Sequence, residues 1–158
     1  MVDVDIDYNA VLHVTASAAE AFALVADVKR SASHYPDLAV IVPVDGKGHW
    51  RWTMKEKGVG RVTLQVIYSA IYWSDESKLR VDWKPPPGGG GDMESFGSWE
   101  VFPADGGSTL HFRSHTISHI PVPRLVNKVA QKVARKEITG RNEGYVAAIT
   151  NTLGRRTC

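Results

Sequence analysis

At Ile117-Ser118-His119-Ile120-Pro121-Val122-Pro123-Arg124-Leu125-Val126 the hydrophobic period of the chain changes from two to about 3.6 residues. Upstream, apolar and polar side chains alternate. Downstream, Leu125, Val126, Val129, Val133, Ala134, Ile138, Ala148, Ile149 and Leu153 recur at helical spacing. The two prolines end a strand and open a helix predicted from Arg124 to Leu153, roughly 42 Å long at about 1.5 Å per residue.

Before that switch, strand-like runs fall at Ala39–Val44, His49–Glu56, Arg61–Trp73, Lys78–Lys84, Glu94–Phe102 and Thr109–Ser118. Separators such as Asp45-Gly46-Lys47-Gly48, Lys57-Gly58-Val59-Gly60 and Asp105-Gly106-Gly107 are short, as between antiparallel neighbours. Alternation sorts the faces. Trp50, Trp52 and Met54 share one side, as do Val62, Leu64, Val66, Tyr68, Ala70 and Tyr72, and Leu79, Val81 and Trp83. At the N-terminus Ile6, Tyr8, Ala10, Leu12 and Val14 mark a first strand. Ser17-Ala18-Ala19-Glu20 then reads as a capping box opening a helix from about residue 18 to 28.

The 158 residues, 43% hydrophobic, suit one soluble globular domain over 1–158. The single cysteine, Cys158, excludes an intrachain disulfide. No apolar run reaches the roughly 18 residues of a membrane span, and Met1-Val2-Asp3-Val4-Asp5 lacks a basic leader, so a cytoplasmic location is expected. A net charge of +2 argues against nucleic acid as a partner. The basic residues nevertheless crowd the C-terminal part. Arg124, Lys128, Lys132 and Arg135 form a stripe read either as a solvated face or as a peripheral contact with an anionic membrane.

Strand, one or two short helices, six strands and long helix give an α+β fold: a curved seven-stranded antiparallel sheet wrapped around the C-terminal helix. Seven strands at about 4.8 Å make a sheet roughly 34 Å wide, against 10–12 Å for one helix. Aromatic side chains, the short helices or a guest must fill the difference. This order resembles the helix-grip fold of the START, Bet v 1 and polyketide cyclase superfamily. The resemblance is carried by the Ser17–Val28 helix, His34-Tyr35-Pro36, Gly97-Ser98-Trp99-Glu100-Val101-Phe102-Pro103 and Gly106-Gly107-Ser108-Thr109-Leu110. It implies an apolar cavity between sheet and helix, holding lipids, sterols, quinones, polyketides or plant hormones, with catalysis of cyclisation or dehydration in a minority.

The inward aromatics Trp50, Trp52, Tyr68, Tyr72, Trp83 and Trp99 are read as core packing or as cavity lining, since buried indole N–H and phenol groups need polar partners. Gly140 and Gly144 share a helix face, marking a kink or a close approach of sheet or ligand, with Glu137 and Tyr145 nearby. His111, His115 and His119 lie on a strand, where neighbours four apart stand about 13 Å from one another and cannot share a metal. Ser114 and Thr116 then face inward; a bulge after Phe112 would instead turn in His115, the acid/base candidate beside Glu137. Pro85-Pro86-Pro87-Gly88-Gly89-Gly90-Gly91 is read as a plain connection or a mobile flap. Nothing calls for a cofactor: there is no phosphate-cradling loop and no Gly-x-Ser-x-Gly elbow. The expected function is carriage of a hydrophobic small molecule, with an aromatase/cyclase-type enzyme as the alternative and a protein-interaction module as a third class.

Overall fold

The computed structural model describes residues 1–59 and 62–157. The elements run β1 (Val2–Val14), α1 (Ala18–Ala26), α2 (Val28–Ala32), β2 (Leu38–Pro43), β3 (His49–Met54), β4 (Lys57–Val59), β5 (Val62–Leu64), β6 (Ile67–Asp75), β7 (Arg80–Lys84), β8 (Met93–Ala104), β9 (Gly107–Ile120), a 3-10 turn (Arg124–Val126) and α3 (Asn127–Leu153). Seven strands form one antiparallel sheet in the order β1-β9-β8-β7-β6-β3-β2. It is a meander whose first strand closes beside its last, as alternation and short turns predict.

The run Arg61–Trp73 is not one strand. Val62–Leu64 folds back on Lys57–Val59 as a separate hairpin, and the main-sheet strand begins only at Ile67. Alternation carries straight through Gln65-Val66, so periodicity alone could not reveal the break. Gly60, the end of the predicted turn, Arg61, the start of the predicted strand, and the terminal Cys158 lie outside the described residues.

Local chemistry sets the helices. Ser17 accepts a hydrogen bond from the Glu20 N–H and caps α1; Asp27 accepts from the Arg30 N–H and starts α2. Leu24 and Val25 of α1 pack with Trp99, Leu110, Tyr145 and Ile149 in the main core. Ile138 of α3 joins a second cluster with Val4, Ile6, Trp52 and Tyr68. After Gly154 the chain returns to β1, where Thr15 N–H donates to the Gly154 carbonyl and Arg156 N–H to that of His13.

The apolar stripe of the last helix is only partly a core stripe. Its buried positions are Ile138, Arg141, Asn142, Tyr145, Ile149, Thr150 and Leu153, whereas Leu125, Val126, Val129 and Val133 are exposed. The first turns of α3 keep only Asn127, Ala130 and Gln131 half-buried, and the helix joins the apolar core from Ala134 onward.

Candidate functional site

Strand pleat and helix phase converge on one enclosed space. Val25, Val28, Ser31, Ala32 and Tyr35 close it from the α1–α2 side, and Asn142 and Tyr145 from α3. The floor is Trp52, Tyr68, Tyr72, Val81, Trp83, Met93, Ser95, Trp99, Phe112, Ser114 and Thr116. The free volume is about 50 Å³, so the aromatic side chains themselves occupy most of the gap left between sheet and helix.

The rings form a continuous belt. Tyr68 stacks on Trp52 at 5.7 Å, and Tyr35 meets Trp52 edge-on at 5.6 Å and Tyr145 at 5.3 Å. Phe112 touches Tyr145, Trp99 and Trp83, and Trp83 in turn packs on Tyr72. Such pairs contribute about 0.5–1.5 kcal/mol each beyond burial. Gly97 makes room for them: a Cβ there would lie 2.2 Å from the Trp83 ring, so the indole sits flat on bare backbone.

Polar groups within the belt fall into two sets. Tyr145 hydroxyl accepts from the Trp99 indole N–H at 3.0 Å and is hydrogen-bonded to the Ser31 hydroxyl, a closed triad joining α2, β8 and α3. In contrast, Thr116 Oγ1 and Asn142 Nδ2 are buried with no partner within hydrogen-bond geometry, and Trp52 Nε1, which also lacks one of good geometry, faces the Tyr72 hydroxyl closely enough to act on its titration. Asn142 is 3% exposed and Thr116 6%, so both are shielded from bulk solvent. All three can donate, and all three line the cavity.

Burial pushes the phenols up: Tyr35 to about 12, and Tyr68, Tyr72 and Tyr145 above their ordinary value. All four stay neutral donors at physiological pH. Among the described residues no Asp, Glu, His, Lys or Arg lines the cavity.

The candidates from sequence separate clearly. Trp52, Tyr68, Tyr72, Trp83, Trp99, Ser114 and Thr116 line the cavity, whereas Trp50 is half-buried and packs on the second cluster. The registers of β9 with β1 and β8 run without a bulge, so His115 points outward, against Asp5 and Asp7. It cannot serve the cavity as an acid or base. Glu137 is also outside, 3.6 Å from Lys57 and 3.7 Å from Arg141. Gly140 borders an outer cleft of about 520 Å³ with Pro36, Asp37, Lys57 and Arg141. Gly144 lets Pro36 approach, since a Cβ there would meet its ring at 2.7 Å. The Pro85–Gly91 run is tied down rather than loose: Gly90 N–H donates to Glu94, the Gly90 carbonyl accepts from Ser69 N–H, and Gly91 bridges to Tyr68.

Sequence reasoning missed Asn142 and Ser31. The signal for Asn142 was present: it stands four residues after Ile138 and three before Tyr145, on the buried face.

The sequence matches the polyketide cyclase/dehydrase and lipid transport family over residues 5–150. The chain belongs to this family. No curated protein matches it. Among solved structures it is similar to the Zhui aromatase/cyclase from Streptomyces sp. R1128, with a TM-score of 0.67, 12% identity, and 96% of this chain and 93% of that one covered. It also resembles a START superfamily protein from Mycobacterium smegmatis (TM-score 0.61, 13% identity, 94% and 96% covered) and Ara h 8.0201 (TM-score 0.57, 16% identity, 96% and 97% covered). These likenesses show a common helix-grip fold. Family and neighbours fit hydrophobic ligand binding or polyketide cyclase activity. Among the described residues no helix is long and apolar enough to cross a membrane, and no group of three or more His, Cys, Asp or Glu is placed to hold a metal.

Proposed function

We propose that this chain, one domain over residues 1–158, binds and carries a neutral hydrophobic small molecule of lipid, isoprenoid or polyketide type between sheet and α3. The observation that carries this reading is the pair of unpartnered buried donors, Thr116 Oγ1 and Asn142 Nδ2, inside a largely aromatic and aliphatic wall. A buried donor without a partner costs about 1–3 kcal/mol, and a guest bearing an acceptor oxygen would remove that cost. A charged head would meet no counter-charge there and would lose its hydration. Contacts would come from Trp52, Tyr68, Tyr72, Trp83 and Trp99, with Ser114 and Thr116 as polar contacts.

Drug-sized ligands occupy about 300–1,000 Å³, so loading requires rings to move. Tyr35 is the side chain to swing: it precedes Pro36 and Asp37 of the outer cleft, and its only polar tie is a 3.5 Å hydrogen bond to Asn142. Carriage is favoured over cyclisation because the wall offers only neutral tyrosines as proton carriers.

The test uses Nile red, a neutral fluorescent hydrophobe with a carbonyl. We expect saturable one-to-one binding, weakened about 3–10-fold by Thr116→Val, which keeps the shape and removes the donor. No saturable binding, or equal affinity in the variant, would discard the reading.

A further inference from the structure

The start of the last helix and the turn before it leave an apolar row exposed among the described residues. Leu125 is 99% exposed, Val129 66% and Val133 52%, with Val126 beside them. At about 100° per residue, Val129 and Val133 of α3 lie about 40° apart, and Leu125 and Val126 precede them in the 3-10 turn. Lys128, Lys132 and Lys136 form a parallel exposed row at the same spacing, preceded by Arg124. Arg135 alone is turned back, donating to the Asp5 carbonyl. No acidic residue occurs from Ile120 to Lys136.

A row of exposed aliphatic side chains beside an unbroken row of cations is the pattern of a helix lying in a lipid interface. A second copy of the chain fits poorly, because a two-fold contact through this face would set each cationic row near its own copy. An anionic lipid surface satisfies both rows at once.

We propose that the Pro123–Lys136 segment docks on an anionic bilayer, with Leu125, Val129 and Val133 at the headgroup–acyl boundary and Lys128, Lys132 and Lys136 on lipid phosphates. Val133 and Lys136 also border the outer cleft, so docking turns that cleft toward the membrane. This surface role goes beyond cavity binding and does not depend on it.

The experiment is co-sedimentation of the full chain with vesicles of phosphatidylcholine alone or with about 30% phosphatidylglycerol. Binding is expected only to the anionic vesicles at low salt, falling steeply at 0.5 M salt. Lys128→Ala with Lys132→Ala should lower partitioning roughly 25-fold, at about fivefold per cation. Leu125→Ala with Val129→Ala should lower it at least about tenfold. Both variants change exposed positions, and Nile red titration on each is expected to be unchanged, so failure of the cavity reading would show separately. No binding to anionic vesicles, equal binding to phosphatidylcholine alone, or no loss in the Leu125/Val129 variant would overturn the proposal. So would light scattering showing a dimer that this variant dissociates.

Discussion

Replacing Asn142 by leucine should make the empty protein more stable and the loaded one weaker, a combination that separates a binding group from a structural one. Asn142 is 3% exposed and its Nδ2 has no partner, while its Oδ1 accepts only a 3.5 Å hydrogen bond from Tyr35. Removing a buried unpaired amide donor returns about 1–3 kcal/mol. Losing a long hydrogen bond takes back less than about 1 kcal/mol, which leaves a net gain of about 1 kcal/mol. For a chain of this size that raises Tm by about 2–4 °C. A guest hydrogen bond of about 0.5–1.5 kcal/mol disappears at the same time, so Nile red affinity should fall about 3–10-fold. N-phenyl-1-naphthylamine, which has no carbonyl, should bind equally to both proteins. Differential scanning calorimetry and two fluorescence titrations supply the numbers. A lower Tm with unchanged Nile red affinity would refute the reasoning, because Asn142 would then be a satisfied core residue.

Three further outcomes can be checked. Gly97→Ala drives a methyl into the Trp83 ring and should cost about 1–3 kcal/mol, lowering Tm by several degrees; an unchanged melt would mean that the indole is free to shift. Tyr145→Phe strips the Trp99 N–H of its acceptor and Ser31 of its partner, and should cost about 1–3 kcal/mol in urea unfolding. His119 has its pKa raised by hydrogen bonds to Asp3 and Glu94. Its stabilisation is therefore complete below the ordinary histidine pKa of about 6.5 and is lost as pH rises through the higher folded value. His119→Gln should remove that part of the Tm-versus-pH curve, and an unaltered curve would exclude the linkage.

The sheet and final helix were legible because alternation, turn residues and the change of period at Ile120–Pro123 all agree. The edge of that legibility is physical. Alternation continues through Gln65-Val66, so the hairpin of β4 and β5 left no trace in the pattern. Helical spacing places Leu125 and Val129 on an apolar face, but only the position of the sheet decides whether that face is covered. Here that face stays exposed. The cavity aromatics followed from strand phase, which put Trp52, Tyr68, Trp83 and Trp99 on one side. Ser31 did not, because a polar residue on a short helix is ordinarily solvated, and Asn142, although its spacing from Ile138 and Tyr145 marks the buried face, is of a type ordinarily found in solvent. His115 hinged on a single bulge, and the unbroken β9 register settles its direction.

The most direct test of the central claim is native mass spectrometry of the chain, freshly purified and again after incubation with Nile red. The account predicts one added mass per polypeptide, from a neutral lipophilic guest or from the dye, and its loss in a Trp52→Ala, Tyr68→Ala variant that still melts cooperatively. The bare polypeptide mass in both samples would contradict it.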